Sequence, residues 1–117
     1  MSNSIFDPIE EVIEALRKGE IVLVTDDEER ENEGDLICAA ELCTPEQVNF
    51  MITHARGLVC LPITRERAAH LGLSRMNVSH EGDVFQTAFT ISVDAVGCTT
   101  GISTAERAMT IRAVASD

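Results

Sequence analysis

Aromatic residues are almost missing from this chain: its 117 residues include four Phe but neither Trp nor Tyr. The core must therefore be built mainly from Ile, Val, Leu, Met and Ala. A hydrophobic content of 44% at this length suits a single modest core. Cations are scarce as well. Nine Lys and Arg stand against twenty Asp and Glu, for a formal net charge of −11. Such a field repels phosphate backbones and anionic lipid, so neither nucleic acid nor a membrane is expected as a partner. No apolar run reaches transmembrane length, and the start MSNSIFDPIEE has neither a basic n-region nor an apolar h-region, so no signal peptide is expected. The four cysteines, Cys38, Cys43, Cys60 and Cys98, form no C-x-x-C pair, and no His stands at zinc-finger spacing, which argues against a structural zinc site. Cys38 and Cys60 lie in apolar runs where thiols are commonly buried, and a reducing, cytoplasmic setting fits them.

What is present is an alternation of helical and strand patterns, with no repeat or linker. Asp7-Pro8-Ile9-Glu10 has the chemistry of a helix start, followed by Val12, Ile13 and Leu16 at helical spacing and by Lys18-Gly19 as a stop. Ile21 to Thr25 predicts a buried strand, and Leu36 to Ala40 another. Thr44-Pro45-Glu46-Gln47 repeats the helix-start pattern, with Gly57 as the expected stop. Leu58 to Ile63 predicts a strand, Thr64 to Leu71 a short helix, and Thr87 to Val93 an alternating strand. Residues 74–86 have no period and read as a long loop. A glycine-rich turn then feeds a helix capped near Ser103, with Glu106 three residues on. The expected fold class is α+β (α/β-like), a mixed twisted sheet with helices packed on its faces.

The densest chemistry lies between Asp26 and Asp35, where seven carboxylates (Asp26, Asp27, Glu28, Glu29, Glu31, Glu33, Asp35) surround one base, Arg30. Two carboxylates about 5 Å apart repel by roughly 3 kcal/mol at an effective dielectric near 20. A cation, a shared proton or full solvation must relieve that repulsion. If residues 29–35 are extended, Glu29, Glu31, Glu33 and Asp35 project to one side and can converge on a hard cation such as magnesium. A solvated loop without a ligand is the plainer reading. A calcium loop fails, because Ala40 falls where the closing Glu is required.

The string VTDDEERENEGDLICAAE resembles the acidic signature of the 3,4-dihydroxy-2-butanone 4-phosphate synthases, and HARGLVCLPIT and GCTTGISTAERAMTIRA are family-like stretches in the same order. The resemblance implies conversion of D-ribulose 5-phosphate to 3,4-dihydroxy-2-butanone 4-phosphate and formate, with Mg2+ (or Mn2+), in a homodimer. It implies Glu31 as the metal-binding carboxylate and Arg30, Glu31 and Asp35 as contacts of the sugar phosphate. Asp26 and Glu33 would assist proton transfers, with Asp35 close by. Residue types agree with such chemistry: a divalent ion stabilises an enediolate as a Lewis acid, and carboxylates in unequal environments divide acid and base work. Thr100, in the turn before the last helix, is a weak candidate substrate contact. Cys60 sits near the site by the same resemblance, with no base in view to make it a nucleophile. His54 and His70 are expected on helix surfaces, while the role of His80 stays open.

In the family the catalytic domain continues through segments like G-H-V-F-P-L and R-G-H-T-E-A. The second brings the histidine that completes the metal site and much of the phosphate contact, and a further essential glutamate lies outside the chain as well. Residues 1–117 are accordingly expected to be the N-terminal portion of a single synthase domain, truncated at the C-terminus and holding about half a site. Fusion to GTP cyclohydrolase II is a common arrangement in the family. Apolar faces are expected to stay uncovered in this piece. The competing expectation is a non-enzymatic acidic module that binds divalent cations or a basic partner.

Overall fold

The structure, a computed structural model, describes residues 4–76 and 87–116. Helix α1 spans Ile9–Arg17, strands β1 and β2 span Val22–Thr25 and Gly34–Ile37, and a 3₁₀ turn follows at Ala40–Leu42. Helices α2 (Pro45–His54), α3 (Arg65–His70) and α4 (Thr104–Ala115) complete the order. None of these helices is long and apolar enough to cross a membrane.

Helices packed with a sheet are the α+β class that the sequence patterns lead one to expect, and among the described residues the sheet is an antiparallel hairpin. Val22 pairs with Ile37, Leu23 with Leu36, Val24 with Asp35 and Thr25 with Gly34. Residues 58–63, an apolar run read as a strand, pair with no strand among the described residues. The alternating stretch 87–93 contributes a single bridge, Arg75 to Thr90. Strand propensity says that a segment suits a pleated, half-buried surface, and a ladder still needs a partner edge. His80 and most of the long loop, residues 77–86, lie outside the described residues.

Helix boundaries follow local chemistry closely, with two differences. The α2 start is a complete capping box: Thr44 Oγ1 accepts from the Gln47 N–H at 3.2 Å, and Gln47 Oε1 accepts from the Thr44 N–H at 3.1 Å. At α1, however, Pro8 occupies the cap position and no side chain closes it, so Asp7 and Glu10 do not form the expected box. That helix ends as Lys18-Gly19 suggests. Gly19 is left-handed at φ 78°, with Gly19 N–H to Leu16 O at 3.0 Å and Glu20 N–H to Ala15 O at 2.9 Å. The second difference is the end of α2, where Arg56 rather than Gly57 takes the left-handed conformation, at φ 59°.

The core sits where α2, α4 and the 3₁₀ turn meet. Cys43, Val48 and Ala108 are fully buried, and Cys38, Ile52 and Ile111 pack against them. Arg112 on α4 donates from Nη1 to the Cys43 carbonyl at 3.0 Å, tying the helix to the segment after the hairpin. The hairpin itself is lightly covered: Leu23 is 66% exposed, and Val24 and Ile37 also face outward.

Candidate functional site: the acidic hairpin loop

β1 and β2 are joined by residues 26–33, so the acidic run is a hairpin loop. The extended geometry expected over residues 29–35 is confined to its end, since residues 28–31 form turns and the strand resumes at Gly34. A local reason is at hand. The carboxylate and carbonyl of Asp27 capture nearby N–H groups: Oδ1 takes the Glu29 N–H at 2.8 Å, and the carbonyl takes those of Arg30 (3.0 Å) and Asn32 (3.2 Å). Asn32 completes the reversal at φ 50°, a conformation Asn tolerates better than most residues. The side chains therefore do not alternate simply across this stretch.

Asp26 is the hub of the loop. Its Oδ1 accepts the Glu33 N–H at 2.9 Å, and its Oδ2 accepts the Glu31 N–H at 3.0 Å and the Arg30 Nη1 at 2.8 Å. The Asp26 N–H returns a bond to the Glu33 carbonyl at 3.2 Å. The Glu33 N–H is the main reason its carboxyl lies below its usual range; partial burial opposes the shift, and the Glu31 N–H and the Arg30 guanidinium reinforce it. Arg30 is held in turn between two carboxylates, with Nη2 at 3.2 Å from Glu31 Oε1, and Asp26 and Glu31 raise its pKa further.

Asp26, Arg30 and Glu31 are thus brought into one hydrogen-bonded set. Glu33 joins it through its backbone, its side chain being exposed. Asp35 lies on β2 opposite Val24, also exposed. A shallow concavity of about 710 Å³ opens beside the loop, lined by Phe6, Thr25, Asp26, Asp27, Glu28, Glu29 and Asn32. Phe6 at its rim carries no functional pattern in the sequence, and only the folding back of the N-terminal segment brings it there.

Among the described residues, no three His, Cys, Asp or Glu side chains gather closely enough to hold a metal ion. Glu31 can offer one carboxylate oxygen pair, partly engaged by Arg30. That donor set fits a cation such as magnesium, which takes one or two protein carboxylates and fills its other positions with water or substrate oxygens.

Thr100 stands apart from this set. It is exposed in the turn before α4, and the N–H groups on either side of it, those of Thr99 and Gly101, donate to the Glu106 carboxylate. Thr99 Oγ1 adds a bond to Glu106 at 2.9 Å, and Ser103 caps the helix by accepting the Glu106 N–H at 3.2 Å. These donors hold the Glu106 carboxyl below its usual range, the Thr99 N–H foremost. The turn therefore already holds an anion of its own. Cys60 is exposed and belongs to no strand, unlike the buried strand thiol its surroundings suggest; the fully buried cysteine is Cys43. His54 and His70 are exposed near helix ends, His54 with its ring 4.4 Å from that of Phe50.

Residues 10–117 match the family model of 3,4-dihydroxy-2-butanone 4-phosphate synthase. The chain belongs to that family. It is 60% identical over 107 residues to the riboflavin biosynthesis protein RibBA of Bacillus mycoides, covering 92% of this chain and 27% of that protein. It is 56% identical over 109 residues to the 3,4-dihydroxy-2-butanone 4-phosphate synthase of Pseudomonas aeruginosa, covering 92% of this chain and 30% of that one. Among solved structures, a 3,4-dihydroxy-2-butanone 4-phosphate synthase in complex with two magnesium ions superposes with a TM-score of 0.88 at 50% identity, over 95% of this chain and 52% of that one. The synthase-family chain thus spans about half the length of that solved relative and under a third of the two longer proteins.

Proposed function

We propose that residues 1–117 supply the N-terminal portion of a single synthase domain that converts D-ribulose 5-phosphate into 3,4-dihydroxy-2-butanone 4-phosphate and formate. The observation that carries this reading is the Asp26–Arg30–Glu31 set inside a loop whose sequence matches the family throughout. Glu31 is the residue of this chain that would hold Mg2+ (or Mn2+); the magnesium-bound relative supports a divalent ion. Bound there, such an ion supplies Lewis-acid polarisation of the substrate ketone.

The chain's own residues have separable tasks. Arg30 is 61% exposed, so although two carboxylates hold it in place, it keeps donors free for an anionic sugar phosphate in an otherwise acidic protein. Asp35, projecting from the regular end of the hairpin, is the second substrate contact and a proton acceptor. Glu33 assists proton transfer from its exposed position beside the hub. Asp26, with its oxygens committed to Glu31, Glu33 and Arg30, serves that chemistry mainly by fixing where Arg30 and Glu31 point. Thr100 is the weakest member, since Glu106 already satisfies its neighbours' N–H groups.

The same 107 residues or so make up about half of one relative and about a quarter of another, which supports a second domain in some family members, GTP cyclohydrolase II being the proposed partner. A homodimer in the cytoplasm completes the reading, in keeping with four free cysteines. A stand-alone acidic module is less well supported, because no three-carboxylate cluster forms among the described residues to capture a cation unaided.

The test is formate release from D-ribulose 5-phosphate by a synthase of full family length that contains these residues, assayed with magnesium, with a chelator, and as Glu31→Ala. Metal-dependent formate that falls below detection in the variant is the expected result. Formate that survives both chelation and Glu31→Ala would remove Glu31 from the metal site and the reading with it.

A further inference from the structure

Cys38 and Cys43 have no place in the acidic loop's chemistry, yet the fold packs them into one apolar cluster. Cys38 follows directly on β2, the chain turns through Ala40–Leu42, and Cys43 precedes α2. Both belong to the packing between the hairpin and the two longer helices: Cys43 is 1% exposed, and half-buried Cys38 packs against its cluster. The Cys43 thiol lies 3.9 Å from the Thr44 carbonyl, and Arg112 is anchored on the Cys43 carbonyl at 3.0 Å. Burial and the neighbouring Cys38 thiol push the Cys43 thiol up to about 11, and Arg112 works against that rise. Cys43 is thus a poor primary nucleophile at neutral pH, while Cys38, reachable from solvent, is the thiol of the pair that an oxidant meets first.

We propose that Cys38 and Cys43 form a reversible dithiol that closes into an intramolecular disulfide when the protein meets a hydroperoxide. The Cys38 thiol loses its proton to solvent, and its sulfur attacks the terminal peroxide oxygen. The O–O bond breaks, giving a sulfenic acid on Cys38 and a leaving hydroxide that takes up the proton as water. The Cys43 sulfur then attacks the Cys38 sulfur, an S–S bond forms, and the sulfenic oxygen leaves with the Cys43 proton as a second water. Overall, two thiols are oxidised by two electrons and one hydrogen peroxide is reduced to two waters. A dithiol reductant reverses the change by thiol–disulfide exchange. The bond would tie the end of β2, the strand that carries Asp35, to the start of α2.

Tryptic cleavage reports on this pair cleanly, because the peptide of residues 31–56 contains Cys38 and Cys43 and no other cysteine. The whole chain is treated with graded hydrogen peroxide, alkylated while folded and then unfolded, and digested without reduction. The expected result is a 31–56 peptide lighter by two hydrogens that takes up no alkylating agent and regains two alkylation sites after dithiothreitol. Cys38→Ser, at the half-buried partner, should leave Cys43 fully alkylated at the same peroxide dose, with the far-UV circular dichroism spectrum unchanged. The idea is overturned if the peptide keeps both alkylation sites at doses that consume exposed Cys60. It is equally overturned if Cys38 becomes irreversibly over-oxidised while Cys43 remains alkylatable.

Discussion

At the scale of single residues, Asp26 decides the shape of the acidic loop. Its carboxylate gathers two backbone N–H groups and a guanidinium that would otherwise need water or one another, and this offsets the crowding of like charge around it. Because its folded pKa is depressed, its contribution is fully present above the ordinary carboxylate range and is lost as pH falls through the depressed value. In an NMR acid titration, the Glu31 and Glu33 amides should therefore shift together, with a midpoint below that of a free aspartate. Midpoints at or above the free value would mean that Asp26 does not organise the loop. Asp26→Asn keeps the side chain's shape but drops its charge, and in the full-length synthase it should lower metal affinity by about 10–100-fold, as loss of groups that orient a metal ligand typically does. Affinity equal to that of the parent would show Glu31 to be positioned without it. None of this hub was legible in the sequence. The pattern names seven carboxylates, and which of them meets the Glu33 N–H depends on how the chain turns back at Asn32.

At the scale of elements, legibility tracks how local the controlling interactions are. The Thr44 box and the Ser103 cap each close within three residues, and both form where the letters place them. Thr44→Ala should destabilise the chain by about 1 kcal/mol in urea unfolding, the usual cost of losing such a cap. An unchanged midpoint would mean that α2 is held by packing alone. Strands are less legible, since a ladder requires two distant segments. The pairing of β1 with β2 needs only the short loop between them, whereas 58–63 forms no ladder among the described residues. Glu106 lies between these cases: its distance from Ser103 suggests an ordinary box, but its carboxylate closes the preceding turn instead, on Thr99 and Gly101. Gly101 suits that turn doubly. It is left-handed at φ 73°, and an added Cβ would collide with the Asp94 carboxylate.

At the scale of the whole molecule, the fully buried core among the described residues is small and the envelope is open. The radius of gyration is 16.0 Å, against about 13.4 Å expected for a compact chain of this length. Ile5, Phe6, Leu23, Leu58 and Val96 are among the large apolar side chains left well exposed. A chain with these faces uncovered should bind 1-anilinonaphthalene-8-sulfonate, and the same residues within a synthase of full family length should bind much less. Equal dye binding would show that the exposed faces stay uncovered in the longer protein. Stability should also concentrate in few positions. Val48→Ala, at the buried centre, should cost about 2 kcal/mol, whereas Leu58→Ala, at a side chain 77% exposed, should fall within about 0.5 kcal/mol of zero.

One contact far from the acidic loop governs how α3 is carried. Arg67 reaches the far end of α4, where Nε donates to the Val114 carbonyl at 2.9 Å and Nη2 to those of Ala113, at 3.4 Å, and Ser116. Among the described residues, every hydrogen bond from α3 to another helix or strand comes from this one guanidinium. The same guanidinium therefore hydrogen-bonds α3 to the last turn of α4, beside the bonds that Ser116 makes within that turn, from its N–H to Arg112 O and from its Oγ to Ala113 O. Releasing the guanidinium would let α3 swing and the helix end loosen in the same event, so hydrogen exchange in these two places should rise and fall together, although more than forty residues separate them along the chain.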